Sequence, residues 1–308
     1  MKVTLDLDKL LDEGHIDQAD YDRLNRLGAR ATSALAFNVL VGFGVIAVSG
    51  ATLALLAGYV TAIVLGVLVA GAGLALLRSG RASWDVLAGI CVLVGALLFG
   101  GGMVVAGDGR AGAFVLVAVL FGAAGLYVRS ALLMVLAVLA LSSAVGANTG
   151  YAHATYYLGI REPMLTIVLF FALAVAIQLI GRKLAAAWQR VLNAAAATAL
   201  FLVNLAFWIG SLWGDRLGED GLAISSGVFA LLWALALLGG GLAAWALNRR
   251  WLFNLLAVFA GIHFYTQWFE RLGATPATVL IAGLFALGFA VGLRMLNQAL
   301  REPERSAS

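Results

Sequence analysis

Three polar side chains share one stripe of an otherwise apolar stretch near the end of the chain. His263, Gln267 and Glu270 are spaced i, i+4 and i+7, which stacks them on one face of a helix. In a chain this apolar such a stripe faces protein or water, because hydrocarbon offers it no partner. A second group, His153, Tyr156, Tyr157 and Arg161, lies in the segment 148–163, and a third, Asn204 and Trp208, stands one turn apart in another apolar run. Together they predict a binding site in the outer half of a membrane. His263, Gln267 and Glu270 form its wall, Asn204 and Trp208 its deeper side, and His153, Tyr156, Tyr157 and Arg161 its lid. The competing expectation is an aromatic belt, since Tyr and Trp collect at membrane interfaces for their amphipathic rings alone.

The same inventory excludes much chemistry. Two histidines and a glutamate from distant segments do not make a zinc set, and Cys91 stands alone in an apolar run, with no CxxC pair or disulfide framework. No GxSxG, HExxH or Gly-rich phosphate loop occurs. The expectation is a protein that is not an enzyme and uses no metal or cofactor. Basic residues are scattered singly or in pairs instead of clustering on one element, so nucleic acid is not an expected partner. Transport coupled to a buried carboxylate also lacks a residue: Asp85 and Arg294 lie at the ends of apolar runs, within reach of an interface.

The elements that must position these residues follow from composition. Of 308 residues, 63% are hydrophobic and 12% charged, and mean hydropathy is +0.98, against roughly 45–50% apolar and about 25% charged in soluble domains. A crossing needs about 20 mainly apolar residues. The chain offers ten such runs, at 33–53, 57–77, 85–105, 111–128, 130–147, 164–181, 192–213, 221–247, 251–268 and 274–294. The predicted fold is all-α: a polytopic integral membrane bundle of about ten transmembrane helices over 31–296, a short cytoplasmic helical hairpin at 1–30 before it, and a cytoplasmic tail at 297–308.

Lysine and arginine give an orientation, since short cytoplasmic loops carry their excess. With ten crossings they divide sixteen to four between alternate sides, the four being Arg110, Arg161, Arg216 and Arg271. Both termini are thereby expected in the cytoplasm. The first 30 residues lack the apolar core of a cleavable signal, so the first span is expected to serve as an anchor. Short loops rich in alanine and glycine point to a bacterial inner membrane.

In the N-terminal segment, Leu5, Leu10 and Leu11 line a first short helix that Gly14 can end. Asp17 suits the N-cap of a second, with Tyr21, Leu24 and Leu27 along one face. The pattern Leu11, Gly14, Ile16, Asp20, Leu24, followed by a basic joint at Arg26 and Arg30 and a long series of apolar helices, resembles a family of bacterial membrane proteins grouped as domain of unknown function 2157. That resemblance implies a helical hairpin before multiple spans and no particular activity.

Glycine is abundant, at 37 residues, and Gly288 with Gly292 makes a GxxxG expected to pack flat against another helix. Gly71 with Gly73, Gly100–Gly102 and Gly239–Gly241 carry the same expectation of close packing. Two functions suit a chain with so little mass outside the membrane. One is a transporter-like or lipid-handling protein for a neutral or amphiphilic molecule, with membrane lipids as partners. The other is a noncatalytic envelope assembly or scaffold protein whose N-terminal hairpin recruits a partner or a second copy.

Overall fold

A computed structural model describes residues 7–152, 155–216 and 223–299. The chain divides into two compact units, 1–121 and 122–308. Helices dominate both. Among the described residues seven helices are long and apolar enough to cross a membrane by length and composition: the Leu35–Leu55 part of α2 (Gln18–Leu55), α3 (Tyr59–Arg78), α4 (Asp85–Ala106), α5 (Ala111–Val128), α7 (Pro163–Gly181), the Trp188–Trp213 part of α8 (Ala186–Trp213) and α9 (Ser226–Ala246). Helix α6 (Ala131–Ala144) and the Pro276–Gly292 part of α11 (Pro276–Ala299) are apolar but shorter. Helix α10 (Arg250–Leu272) carries the polar stripe.

In the first unit, α1 (Leu7–Asp12) turns back through Gly14, whose φ of +71° suits glycine, onto α2. The Asp17 carboxylate accepts from the Asp20 amide at 2.7 Å, capping α2, and the Tyr21 hydroxyl donates to Asp8 at 2.8 Å. That hydrogen bond raises the Tyr21 phenol above its ordinary pKa, because ionising it would remove the donor beside an acid. Helix α2 then runs without a break through position 30 to Leu55. The second arm of the hairpin and the first apolar run are thus one helix. No proline falls in 18–55 and the joint is rich in Ala, Leu and Arg, so nothing there stops a helix.

The tightest pairing in this unit is between α3 and α4, and seven-residue spacing makes it. Tyr59, Gly66 and Gly73 on α3 face Ala88, Gly95 and Gly102 on α4 in antiparallel order. A methyl on Gly73 would lie 2.8 Å from the Val92 nitrogen, and one on Gly102 would lie 2.9 Å from the Tyr59 carbonyl oxygen. Methyls on Gly66 and Gly95 would strike the backbones at Phe99 and Ala70. Seven residues are two helical turns, so each glycine repeats on the same seam. Helix α2 meets the short turn Ala82–Trp84 that leads into α4 through Asn38, whose side-chain amide donates to the Ser83 carbonyl, and through Phe37 packed edge-on against Trp84.

In the second unit α8 is the central helix, in contact with α6, α7, α9 and α10. Its Ala195, Ala196, Ala199 and Ala206 are fully buried, which brings neighbours close, and the largest buried side chains around it are Phe170, Phe229 and Trp233. Ser130 caps α6 and Ser225 caps α9, each accepting from an amide three residues on.

The expected all-α chain contains strands in two connections, and Ala223 and Ile224, expected inside the 221–247 run, belong to one of them. Strands β1 (Ala147–Ala152) and β2 (Thr155–Ile160) pair antiparallel from Ala147–Ile160 to Ala152–Thr155, and β3 (Asp215–Arg216) pairs with β4 (Ala223–Ile224). The sequence TYYLGI, aromatic and β-branched with no helix periodicity, suits a strand. Asp215 is buried, and its carboxylate accepts from the Met164 amide at 2.8 Å. It thereby satisfies a free donor at the start of α7 and places a negative charge at the positive end of that helix.

Candidate functional site

Helix α10 holds the stripe, and α9 forms the opposing wall. A groove of about 540 Å³ runs between them, lined on α10 by His263, Phe264, Gln267, Trp268, Arg271 and Leu272 and on α9 by Gly227, Ala230, Leu231 and Ala234. A second groove, of about 600 Å³, follows the same two helices in the opposite direction from His263 and reaches Gly292 and Phe289 on α11. Apart from His263 and the Trp245 indole its lining is apolar. The two grooves share Ala234 and His263. Both volumes lie in the range of small-molecule sites, about 300–1,000 Å³.

Behind His263 a polar chain is closed inside the packed helices. Asn204 on α8 is 4% exposed. Its amide donates to the Leu200 carbonyl at 2.8 Å, and its oxygen accepts from the Trp233 indole at 3.0 Å. Trp233 meets His263 edge-on, with ring centres 4.8 Å apart. Trp208 donates from its indole to the Thr266 hydroxyl at 2.9 Å, tying α8 to α10. Tyr265 donates to the Ala282 carbonyl at 2.8 Å and holds α11 to α10. After these bonds the His263 Nδ1 is left buried with no hydrogen-bond partner among the described residues.

Set against the expected site, this arrangement keeps part of the stripe and redistributes the rest. His263 and Gln267 line the groove; Glu270 is exposed and does not. At 100° per residue the lining at positions 264, 267 and 271 lies roughly 40–100° around α10 from His263, whereas Glu270 falls roughly 20° to the other side. Arg271 therefore takes the place at the groove mouth expected for Glu270. Asn204 and Trp208 are not a cavity wall but internal packing groups with their polar atoms satisfied. Arg161 is exposed beside Gly146 and lines neither groove. His153 lies outside the described residues, and Tyr156 and Tyr157 are described as backbone in β2, opposite Tyr151 and Gly150.

The expected GxxxG contact is likewise not made. A methyl on Gly288 or on Gly292 would meet nothing within 4 Å, so among the described residues this strip does not pack closely against another helix. Four-residue spacing makes a flat strip but does not supply a facing helix.

Sequence reasoning missed Trp233, Arg271 and the small-residue wall of α9. The signal for the wall was present: Gly227, Ala230, Ala234 and Gly241 recur on one face of α9. No signal in the sequence paired Trp233 with Asn204, because the two are 29 positions apart on different helices. Among the described residues no three His, Cys, Asp or Glu side chains gather closely enough to hold a metal ion. No family model, curated protein or solved structure matches this chain.

Proposed function

We propose that this chain is a multispanning membrane protein that shelters an amphiphilic molecule in the grooves beside α10. The observation that carries this reading is the pair of grooves meeting at His263, mostly apolar in lining, with the one charged group, Arg271, at one end beside Gln267 and only His263 and the Trp245 indole as polar groups along the second groove. An amphiphile matches a long apolar wall with polar groups at one end. In the full reading α6, α10 and α11 also cross, making ten spans with both termini in the cytoplasm of a bacterial inner membrane. Reporter fusions at Ser308 and at Gly218 then give opposite sides; the same side for both overturns the ten-span arrangement.

The test of the function uses the full chain in detergent with a long-chain fatty acid carrying a diazirine. Labelling concentrates on α9 and α10 peptides and falls severalfold in Ala234→Phe, which fills both grooves. Equal labelling of the apolar face of α3, around the exposed Leu68, overturns the reading.

A second reading, a scaffold working through the N-terminal hairpin, is favoured by one observation. Leu24 and Leu27 are 37% and 52% exposed on the polar half of α2, where no membrane is needed to explain an apolar side chain. A crosslinking pull-down with and without residues 1–30 separates it from the first, since only a scaffold needs the hairpin for its main partner.

A further inference from the structure

The groove between α9 and α10 has a definite polarity, which names the chemistry of its occupant. Arg271 stands at one end and His263 at the other, eight residues or about 12 Å along the helix axis. Gln267 lies midway, about 6 Å below Arg271. Between these groups the α9 wall carries Gly227, Ala230 and Ala234 with Leu231 at its edge, and Phe264 and Trp268 stand opposite, so a chain of methylenes can lie along the small residues between apolar side chains. Arg271 makes no ion pair with a carboxylate among the described residues, unlike Arg110, which pairs with Asp108. Its neighbour Glu270 is exposed and does not line the groove.

A guanidinium left free at the mouth of an apolar groove calls for an anion attached to an apolar tail. Its planar fork of donors fits phosphate oxygens in pairs, and hydrogen bonds to a charged partner are the strong ones. The Gln267 amide, one turn deeper, stands at the depth of the ester groups that follow a headgroup phosphate and can donate to their carbonyls. We propose that this groove seats a phospholipid, with the phosphate on Arg271, the ester region beside Gln267 and one acyl chain along the small-residue wall toward His263. The assignment rests on the amphiphile-sheltering reading above and adds the headgroup to it.

The experiment is native mass spectrometry of the full chain in detergent with phosphatidylglycerol and with diacylglycerol of the same chains. The wild type retains the phospholipid about tenfold better, the factor that about 1.4 kcal/mol supplies. Arg271→Gln brings the two lipids to equal retention, while Arg271→Lys keeps part of the preference because the charge remains. Equal retention of both lipids by the wild type, or an unchanged preference in Arg271→Gln, overturns the phosphate assignment. Glycerol phosphate, which has the headgroup chemistry without a chain, does not displace the lipid; displacement at matched concentration means that the site takes a soluble phosphate, and overturns it too.

Ala234→Phe separates the two levels of the claim. Loss of both lipids in Ala234→Phe with no effect of Arg271→Gln leaves the groove standing and removes the headgroup. Retention of both lipids in Ala234→Phe removes the groove as well. Thermal melting checks that this variant folds, and Leu231→Trp, at a position 62% exposed on the groove edge, narrows the same space without loading the core.

Discussion

The α3–α4 seam and the α9–α10 grooves are built from the same small residues and end in opposite states. On α3 and α4, Gly66, Gly73, Gly95 and Gly102 face backbone across the pair, and the helices close until no methyl group fits. On α9, Gly227, Ala230 and Ala234 look across at Phe264, Gln267 and Trp268 of α10 and leave a groove of about 540 Å³. Small residues allow close approach where the neighbour presents backbone to them, as the Tyr59 carbonyl does to Gly102. Beside the Phe264 and Trp268 rings the gap stays open. In lipid this difference matters more than in water, because no strong hydrophobic drive pushes two apolar helices together and contact itself must hold them.

The comparison breaks most directly at the seam. Gly95→Leu places a branched side chain against the Ala70 backbone, and overpacking of this kind costs about 1–3 kcal/mol. Thermal unfolding in detergent should show the loss, and a variant as stable as the wild type would mean that the seam is not closed.

At the grooves the corresponding weak point is the bond behind them. Trp233→Phe keeps the ring against His263 but leaves the Asn204 oxygen without its donor. The expected cost is about 0.6 kcal/mol and at most about 1.7 kcal/mol, the range for hydrogen bonds between membrane helices. A double-mutant cycle with Asn204→Leu isolates it; additive effects would show that the pair is not coupled. Thr266→Val removes the acceptor of the Trp208 indole and should cost about 0.6 kcal/mol. A cost as large as that of Gly95→Leu would place the rigid part of the chain at α8–α10 instead of α3–α4.

The smallest effect is expected where the sequence promised a large one. At Gly288 and Gly292 an added methyl meets nothing within 4 Å, so Gly288→Ile and Gly292→Ile start from open space, and surface changes of this sort stay within about 0.5 kcal/mol. A drop of several degrees in either variant would reveal a neighbour packed on α11 that the described residues do not supply.

Much of the helical pattern was legible because length and apolarity are local properties. The run from Ala31 to Leu77 carries no charge and is too long for one crossing, so a turn inside it was required, and it falls at Leu56–Gly58, between α2 and α3. Asp17 announces the start of α2 by its place before Asp20. Among the glycines the reading was half right. Gly73, Gly100 and Gly102 lie against neighbouring helices, but Gly71 and Gly101 beside them meet nothing, since adjacent residues point about 100° apart.

The site was legible only as far as one helix reaches. His263 and Gln267 share a face whatever surrounds them, so their joint appearance in a groove follows from spacing. Whether Glu270 or Arg271 stands at the mouth depends on where α9 lies around α10, and that angle is set by Trp233, Ala234 and the rings opposite. Asp215 gave no sign that it would be buried at the start of α7, because its amide partner is 51 residues away. Composition and periodicity determined that this chain makes apolar helices and where most of them begin and end. Which glycines close a seam and which polar atoms meet a partner was decided by tertiary structure alone. The rotation and spacing of each helix pair come from side chains far apart in sequence.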